Sequence, residues 1–425
     1  MKSVTIGFLG CGNIGCGVYK LLNGFTAEMA HRNGLSIEIK KILVRDITKN
    51  RGVKFPPGVL TVRPADILDD PEISMIAEFL GGEQPATEYM LRALSNGKTV
   101  ITANKLALAL NWHLLQAAAQ EHGAGLYYEA AVCGAIPIVR VLTHSLQANR
   151  ITKLVGIING TTNYILSRMS TLGEEYSSAL EDAQRLGLAE PDPSSDVEGM
   201  DSSYKLSILA SLAFHTHIPV GKVFTEGITK ITTMDIACGK ELGFTLKLLA
   251  IAKRHDCTFE LRVHPAFITD DHPIAAIEGA YNAVHITGHA CQEMMMLGRG
   301  AGDMPTASSI VSDLLNAAEQ TAHAHPTFRN TEQPVDGVCF SNNWECAFFV
   351  RLSAIDAPGV LCKVAGCFAN EQVSIASMIQ KDAEASGKVS LIFITHKAPE
   401  QAMHAALSQL DPEVCRLESM IRVEC

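Results

Sequence analysis

No apolar run in these 425 residues reaches the roughly 18 needed to cross a bilayer, and residues 1–6 enter a strand pattern instead of a charged and then apolar leader. A cytoplasmic location with no membrane partner is the expectation. Basic blocks are missing too: 35 Lys and Arg face 45 Asp and Glu, and a net charge of -10 argues against nucleic acid as a partner. The twelve cysteines contain no C-x-x-C pair, so neither disulfides nor a structural zinc is expected. The fifteen histidines contain no H-E-x-x-H, and His215/His217 and His323/His325 have a spacing of two that fits one helix face poorly. What is present is an ordinary globular composition, 47% hydrophobic and 19% charged, in a chain long enough for two or three domains. Small-molecule chemistry is the expectation.

One stretch is dense in chemistry. Residues 187–205 carry five carboxylates (Glu190, Asp192, Asp196, Glu198, Asp201) and two prolines, then Lys205 at the head of the apolar run 206–213. If that run is a helix starting near Met200, Asp201 and Lys205 lie four apart on one face. A lysine on an apolar helix is partly desolvated, which suits an ammonium to proton exchange. The other reading is a solvated acidic loop followed by an ordinary ion pair at a helix start.

The rest of the chain gives that stretch a setting. A short apolar strand runs into G-x-G-x-x-G at Gly10, Gly12 and Gly15, followed by a helical pattern at 18–22. There glycines permit a tight turn, close approach to a pyrophosphate and close helix–strand packing, and the helix N-terminus faces the phosphates. The strand at 37–44 ends in Arg45 and Asp46, where an acid suits the ribose hydroxyl of NAD and an arginine the 2′-phosphate of NADP. Arg45, with Lys49 and Arg51 after it, tilts the balance toward NADP. A strand at 73–80 broken by Glu78, a helix at 85–96 and a strand at 99–102 continue the parallel-sheet alternation and put Lys105 at a carboxyl edge, a site candidate.

Further along, the expected order is a helix at 108–121, a strand at 126–129, a small-residue turn and a helix at 138–146. The turn exposes carbonyls able to hold a ligand or monovalent cation, and its Cys133 has no nearby histidine as base. A strand from 154 leads into a polar turn at 159–163 and a helix to about 169, then a charged helix at 174–185. Alternating segments at 220–225, 258–266 and 282–289 read as strands of a second sheet, and a glycine-rich turn at 298–304 precedes a long helix at 305–323. After a linker, residues 348–425 read β-α-β-β-α-β, a small separate domain.

Together these motifs resemble homoserine dehydrogenase with a C-terminal ACT domain, over nearly the whole chain. The resemblance rests on the glycine turn, Thr102-Ala-Asn-Lys105, Asn159-Gly-Thr-Thr-Asn-Tyr, Glu190-Pro-Asp-Pro with Asp196, Asp201 and Lys205, Gly-Ala-Gly-Asp at 300–303, and Asp356-Ala-Pro-Gly-Val-Leu. It implies an α/β fold: a Rossmann-type dinucleotide-binding domain at 1–132, joined by a returning helix at 305–325, and an α+β substrate and dimerisation domain at 133–304. A linker at 326–347 and a ferredoxin-like ACT domain at 348–425 complete it. The implied reaction is NADPH- or NADH-dependent reduction of aspartate 4-semialdehyde to homoserine. Lys205 would donate the proton, Lys105 would be the second active-site lysine, and Glu190, Asp201 and Asp196 would bind substrate.

The resemblance also has Gly10, Gly12, Asn13, Ile14, Gly15, Lys105, Gly187 and Gly302 line the cofactor, to which the place of Arg45 at the end of the second strand adds that residue. It places a sodium ion at Glu129, Val132, Gly134 and Ile136, where this chain is poorer in glycine than the family's usual turn. Threonine is the implied effector, and a homodimer or homotetramer the implied assembly. Two other functions fit some of the same residues: an aspartate-semialdehyde dehydrogenase using Cys133 as nucleophile, and a non-catalytic sensor of nucleotide and amino acid.

Overall fold

A computed structural model describes residues 2–320, 337–381 and 388–424, and two compact units emerge. The first comprises Met1–Gly160, Asp201–Val223 and Tyr281–Val338, the second Thr161–Met200, Phe224–Ala280 and Cys339–Cys425. Residues 326–336 of the expected linker and 321–325 of the expected long helix lie outside the described residues.

The first unit is built on a six-stranded parallel sheet in the order Leu60–Thr61, Leu35–Leu43, Lys2–Leu9, Met75–Glu78, Thr99–Thr102, Leu126–Tyr127. Its central strands are buried on both faces and therefore nearly all apolar, with Ile6, Phe8, Ile76, Ala77 and Ile101 fully buried. The strand order reverses between Lys2–Leu9 and Met75–Glu78, and in such sheets the crevice at that reversal binds ligands. The Asp303–Glu319 helix packs on the Asn13–Gly24 helix, and its Ala307, Ile310 and Leu314 join Val18 and Leu22 in one core. Each fully buried Leu or Ile there contributes about 2 kcal/mol. The same unit holds an antiparallel set in which Tyr281–Gly288 pairs with both Ile151–Ile157 and Gln292–Arg299.

Several elements differ from the sequence expectation. The helix expected at 108–121 is two, Lys105–Leu110 and Trp112–Glu121, because the Asn111 side chain donates to the Ala107 carbonyl and to Glu83. The strand from 126 stops at Tyr127, and Glu129–Ala131 forms a tight turn as Glu129 N–H donates to Asp313 at 2.9 Å. The expected 138–146 helix widens into a π turn at Val141–Ser145, where Thr143 Oγ1 donates to the Val139 carbonyl. The polar segment after Asn159 is already helix, Gly160–Leu172. Residues 220–225 give a 3-10 turn, Val220–Lys222, and only the two-residue strand Phe224–Thr225. The expected glycine turn from 298 begins later, since Gln292–Arg299 is a strand.

In the second unit Phe244–His255 and Thr258–Thr269 form a long antiparallel hairpin. The far side of Thr258–Thr269 is covered in three pieces: Cys339–Ser341 at 258–260, Phe224–Thr225 at 262–263 and Cys415–Glu424 at 266–268. Residues 345–424 follow the expected β-α-β-β-α-β order, with strands in the order Cys415–Glu424, Glu345–Ile355, Lys388–Thr395, Ile375–Lys381, all antiparallel. Phe348, Phe368 and Phe393 centre their core. Buried Arg422 anchors the last strand through Glu400 and, at 2.7 Å, Glu226.

One buried cation in this unit carries a pH signature. Lys247 is 3% exposed and donates to the Ile277 carbonyl, and burial pushes its ammonium down to about 8 from 10.5, against the pull of Glu278. Between those values the unfolded chain binds the extra proton, so stability rises with pH across the window, by about 3 kcal/mol in all. Urea unfolding of the native protein and Lys247→Met from pH 7 to 10.5 should show this gain in the native protein alone. Parallel profiles would contradict it.

Candidate active site

The glycine turn follows the first strand at the sheet's reversal. Gly10 takes φ +101°, and a Cβ there would lie 3.1 Å from the Phe79 carbonyl. A Cβ on Gly15 would lie 3.1 Å from the Gly10 carbonyl, so at both positions a side chain would crowd backbone that now packs closely. Gly12 caps the Asn13–Gly24 helix without a side-chain hydrogen bond, and no acid occupies the first turn. Such a helix end has N–H groups and a positive dipole to offer an anion, and the residues present fit a pyrophosphate. Arg51, rather than Arg45, is tied to this turn: its Nε donates to the Cys11 carbonyl at 3.2 Å and its Nη2 to the Asp46 carbonyl at 2.7 Å.

Beside it, a buried network fixes the edge that carries Lys105. Glu78, fully buried at its strand end, accepts from Thr102 Oγ1 and from Leu80 N–H, each at 2.6 Å. Burial pushes its carboxyl above the usual range while those hydrogen bonds oppose. Thr102 Oγ1 accepts from Asn104 N–H at 2.9 Å. The Asn104 amide in turn donates to the Gly82 carbonyl and caps the Lys105–Leu110 helix by accepting from Ala107 N–H.

The Met200–Phe214 helix supplies the other cation. Nearly every residue of it is buried, Asp201 and Lys205 included. Lys205 Nζ donates to Asp201 Oδ2 at 2.6 Å and to the Ile158 carbonyl at 3.0 Å. Lys105 Nζ lies 2.9 Å from Asp201 Oδ1, and Asn159 Nδ2 donates to Asp201 Oδ2 at 2.8 Å. Burial alone would raise the Asp201 carboxyl, but Lys205, Lys105 and the hydrogen bonds from Lys205 and Asn159 hold it well below the usual range. The result is a permanent carboxylate gripping two ammoniums, one nearly enclosed at 11% side-chain exposure and one open at 41%. Lys205 is thus desolvated, with a carboxylate as its neighbour.

Of the other residues singled out in the sequence, Gly302 caps the Asp303–Glu319 helix in the first unit. Gly187, Glu190 and Asp196 belong to the second: Gly187 has φ +72° just beyond the Tyr176–Arg185 helix, the Glu190 carbonyl accepts from Gln184, and Asp196 lies in the short Ser194–Val197 helix. Glu129 accepts from Val139 N–H and Arg140 N–H, both at 2.8 Å; burial and then Asp313 push its carboxyl up to about 7. Cys133 and Gly134 are consecutive left-handed residues, the Gly134 carbonyl accepts from Ser309, and the Cys133 carbonyl accepts from Ile136 N–H. Val132 is fully buried. Cys133 is fully buried and its thiol is pushed up to about 12 by burial, which argues against a nucleophile. Among the described residues no group of three or more His, Cys, Asp or Glu could hold a metal ion.

Asn159, the Ile158 carbonyl and the Glu78–Thr102–Asn104 network were not among the residues assigned a role from the sequence. The signals were Glu78, a charge interrupting an apolar strand, and the places of Thr102, Asn104 and Asn159 inside motifs that carry the resemblance.

A parallel sheet with an open glycine turn at its reversal, beside a buried lysine–carboxylate cluster, defines an NAD(P)-dependent oxidoreductase. Two family models match: "Homoserine dehydrogenase, NAD binding domain" over residues 10–129 and "Homoserine dehydrogenase" over residues 137–315. A homoserine dehydrogenase of Bacillus subtilis is 37% identical over 435 residues, covering 100% of this chain and 99% of its own. A solved homoserine dehydrogenase from Thiobacillus denitrificans superposes with a TM-score of 0.93 at 38% identity, covering 100% of this chain and 99% of its own. A hyperthermophilic archaeal homoserine dehydrogenase in complex with NADPH gives 0.63 at 25% identity, covering 74% of this chain and 97% of its own. The chain belongs to the homoserine dehydrogenase family. Among the described residues no helix is long and apolar enough to cross a membrane.

Proposed function

We propose that the chain catalyses reversible reduction of L-aspartate 4-semialdehyde to L-homoserine with NADPH or NADH, toward threonine, methionine and isoleucine. The observation that carries this reading is the Lys205–Asp201–Lys105 cluster. When bound, the reduced nicotinamide supplies the hydride to the aldehyde carbon. Lys205 stabilises the alkoxide that develops and gives it a proton. Asp201 keeps both ammoniums placed, and Lys105 is the second lysine of the reaction. Glu190 and Asp196, with Asp201, are assigned to the substrate.

Gly10, Gly12, Asn13, Ile14 and Gly15, with Lys105, Gly187 and Gly302, are assigned to the dinucleotide, and Arg45 to the 2′-phosphate of NADP. A sodium ion is assigned to the turn of Glu129, Val132, Gly134 and Ile136; the fixed Gly134 carbonyl and its left-handed backbone suit a carbonyl donor set. Residues 1–132 with the helix 305–325, 133–304 and 348–425 are read as the dinucleotide, substrate and regulatory domains, with 326–347 as linker. The last is read as an ACT domain responding to threonine, supported by its β-α-β-β-α-β order and by Gly359, at φ +90°, opening the Val360–Asn370 helix. A cytoplasmic homodimer or homotetramer completes the reading.

Consumption of NADPH and of NADH with aspartate 4-semialdehyde, with and without threonine, tests it. Rapid consumption that threonine suppresses is expected. No consumption by a protein that binds the dinucleotide would overturn the reaction, and indifference to threonine would overturn the effector.

A further inference from the structure

Two thiols flank the four residues of the glycine turn that open the first helix. Cys11 and Cys16 are both buried, and their sulfurs are 3.7 Å apart. The Cys16 thiol also approaches the Cys11 carbonyl at 3.9 Å. That carbonyl is held by Arg51 Nε at 3.2 Å, and Cys16 N–H donates to the Gly12 carbonyl at 2.9 Å, so backbone on both sides is anchored. A disulfide, at about 2.05 Å, requires these sulfurs to close by about 1.7 Å. Nothing in the hydride chemistry uses either thiol.

We propose that Cys11 and Cys16 form a reversible disulfide that switches off dinucleotide binding at the phosphate turn. This rests on the reading of that turn as the cofactor site. The oxidant is a hydroperoxide. The Cys16 sulfur takes its terminal oxygen, becoming a sulfenic acid while the alcohol departs, or water when the oxidant is hydrogen peroxide. The Cys11 sulfur then attacks the Cys16 sulfur, the S–O bond breaks, and hydroxide leaves with the Cys11 proton as water. Two thiols lose two protons and two electrons, and one hydroperoxide is reduced. Burial pushes the Cys11 thiol up to about 12, with Cys16 adding to the rise, so it is the 3.7 Å approach to the Cys16 sulfur, which Cys133 lacks, and not acidity that gives Cys11 its step. The closed link pulls the turn out of the shape that the Gly10 and Gly15 clearances define. A dinucleotide already on the turn covers the thiols and protects them.

The test uses the reduced full chain treated with hydrogen peroxide, with and without NADP+. Peptide mapping reads loss of two hydrogens in the segment containing both cysteines, and titration reads NADP+ affinity before and after. We expect the link without NADP+, affinity weakened by about tenfold or more, recovery with dithiothreitol, and slower linkage when NADP+ is present. Cys11→Ala and Cys16→Ala should each abolish the peroxide-dependent change in affinity. Oxidation confined to other cysteines, such as exposed Cys257, Cys339 and Cys362, or a link that leaves affinity unchanged, overturns the switch alone. A reduced protein that binds no dinucleotide overturns the reading of the turn as well.

Discussion

Lys205→Met is expected to lower kcat about a thousandfold, the combined scale of a lost general acid and a lost alkoxide partner. The dinucleotide should bind as before, because the glycine turn draws no hydrogen bond from this lysine, whose bonds go to Asp201 and the Ile158 carbonyl. Methionine keeps most of the aliphatic length, so a buried helix face is still filled, and Lys105 remains as the counter-charge to Asp201 at 2.9 Å. Steady-state rates with saturating semialdehyde, together with a fluorescence titration of NADPH, separate the two effects. Turnover within a few-fold of the native protein would remove Lys205 from its assigned role. Loss of NADPH binding would instead point to a collapsed site.

Asp201→Asn should damage stability as well as rate. Removing one partner from a buried ion pair costs about 3–5 kcal/mol, because the remaining charge is left without compensation. Here two ammoniums lose the same negative charge, and the one oxygen that asparagine keeps cannot serve both Lys105 on one side and Lys205 with Asn159 on the other. The sign of the pH dependence follows from the depressed native carboxyl. An unfolded aspartate titrates near 3.8 and the native one well below it, so the native carboxylate's contribution is complete above that value. It is lost progressively as pH falls from 3.8 toward the depressed native value, where the loss is complete. Urea unfolding should therefore show a difference between the two proteins that is constant from pH 7 to about 5 and shrinks in strong acid. A difference that vanishes already near neutral pH would mean that Asp201 is not the charge holding the cluster.

How much of this was legible in the sequence depends on how far apart the partners lie along it. The Asp201–Lys205 pair is an i,i+4 contact on one helix, and the glycine turn is a contiguous pattern between a strand and a helix, so local rules suffice for both. Lys105 follows from the strand–helix alternation, which alone puts it at a carboxyl edge. Asn159 meets Asp201 across 42 residues, and Glu78 meets Thr102 across 24, and no spacing rule links such positions. The Phe244–His255 strand had no expected counterpart: its apolar run fits a buried helix or strand equally, and its pairing with Thr258–Thr269 decides. Gln292–Arg299 is rich in methionine and lacks β-branched residues, so its strand character comes from its neighbour Tyr281–Gly288.

The three-piece cover on Thr258–Thr269 bears on how the chain tolerates shortening. Two of the three pieces, Cys339–Ser341 and Cys415–Glu424, come from the last quarter of the chain. A truncation ending before residue 339 would strip the backbone at 258–260 and 266–268 of its partners on that side. It would leave Arg262, whose Nη1 contacts Glu424, as a buried charge without that carboxylate. A bared strand border of this kind recruits other chains through its open N–H and C=O groups. The tail is therefore a stitched-in wall of the second unit, and deleting it should yield aggregated protein unless the border is redesigned along with it.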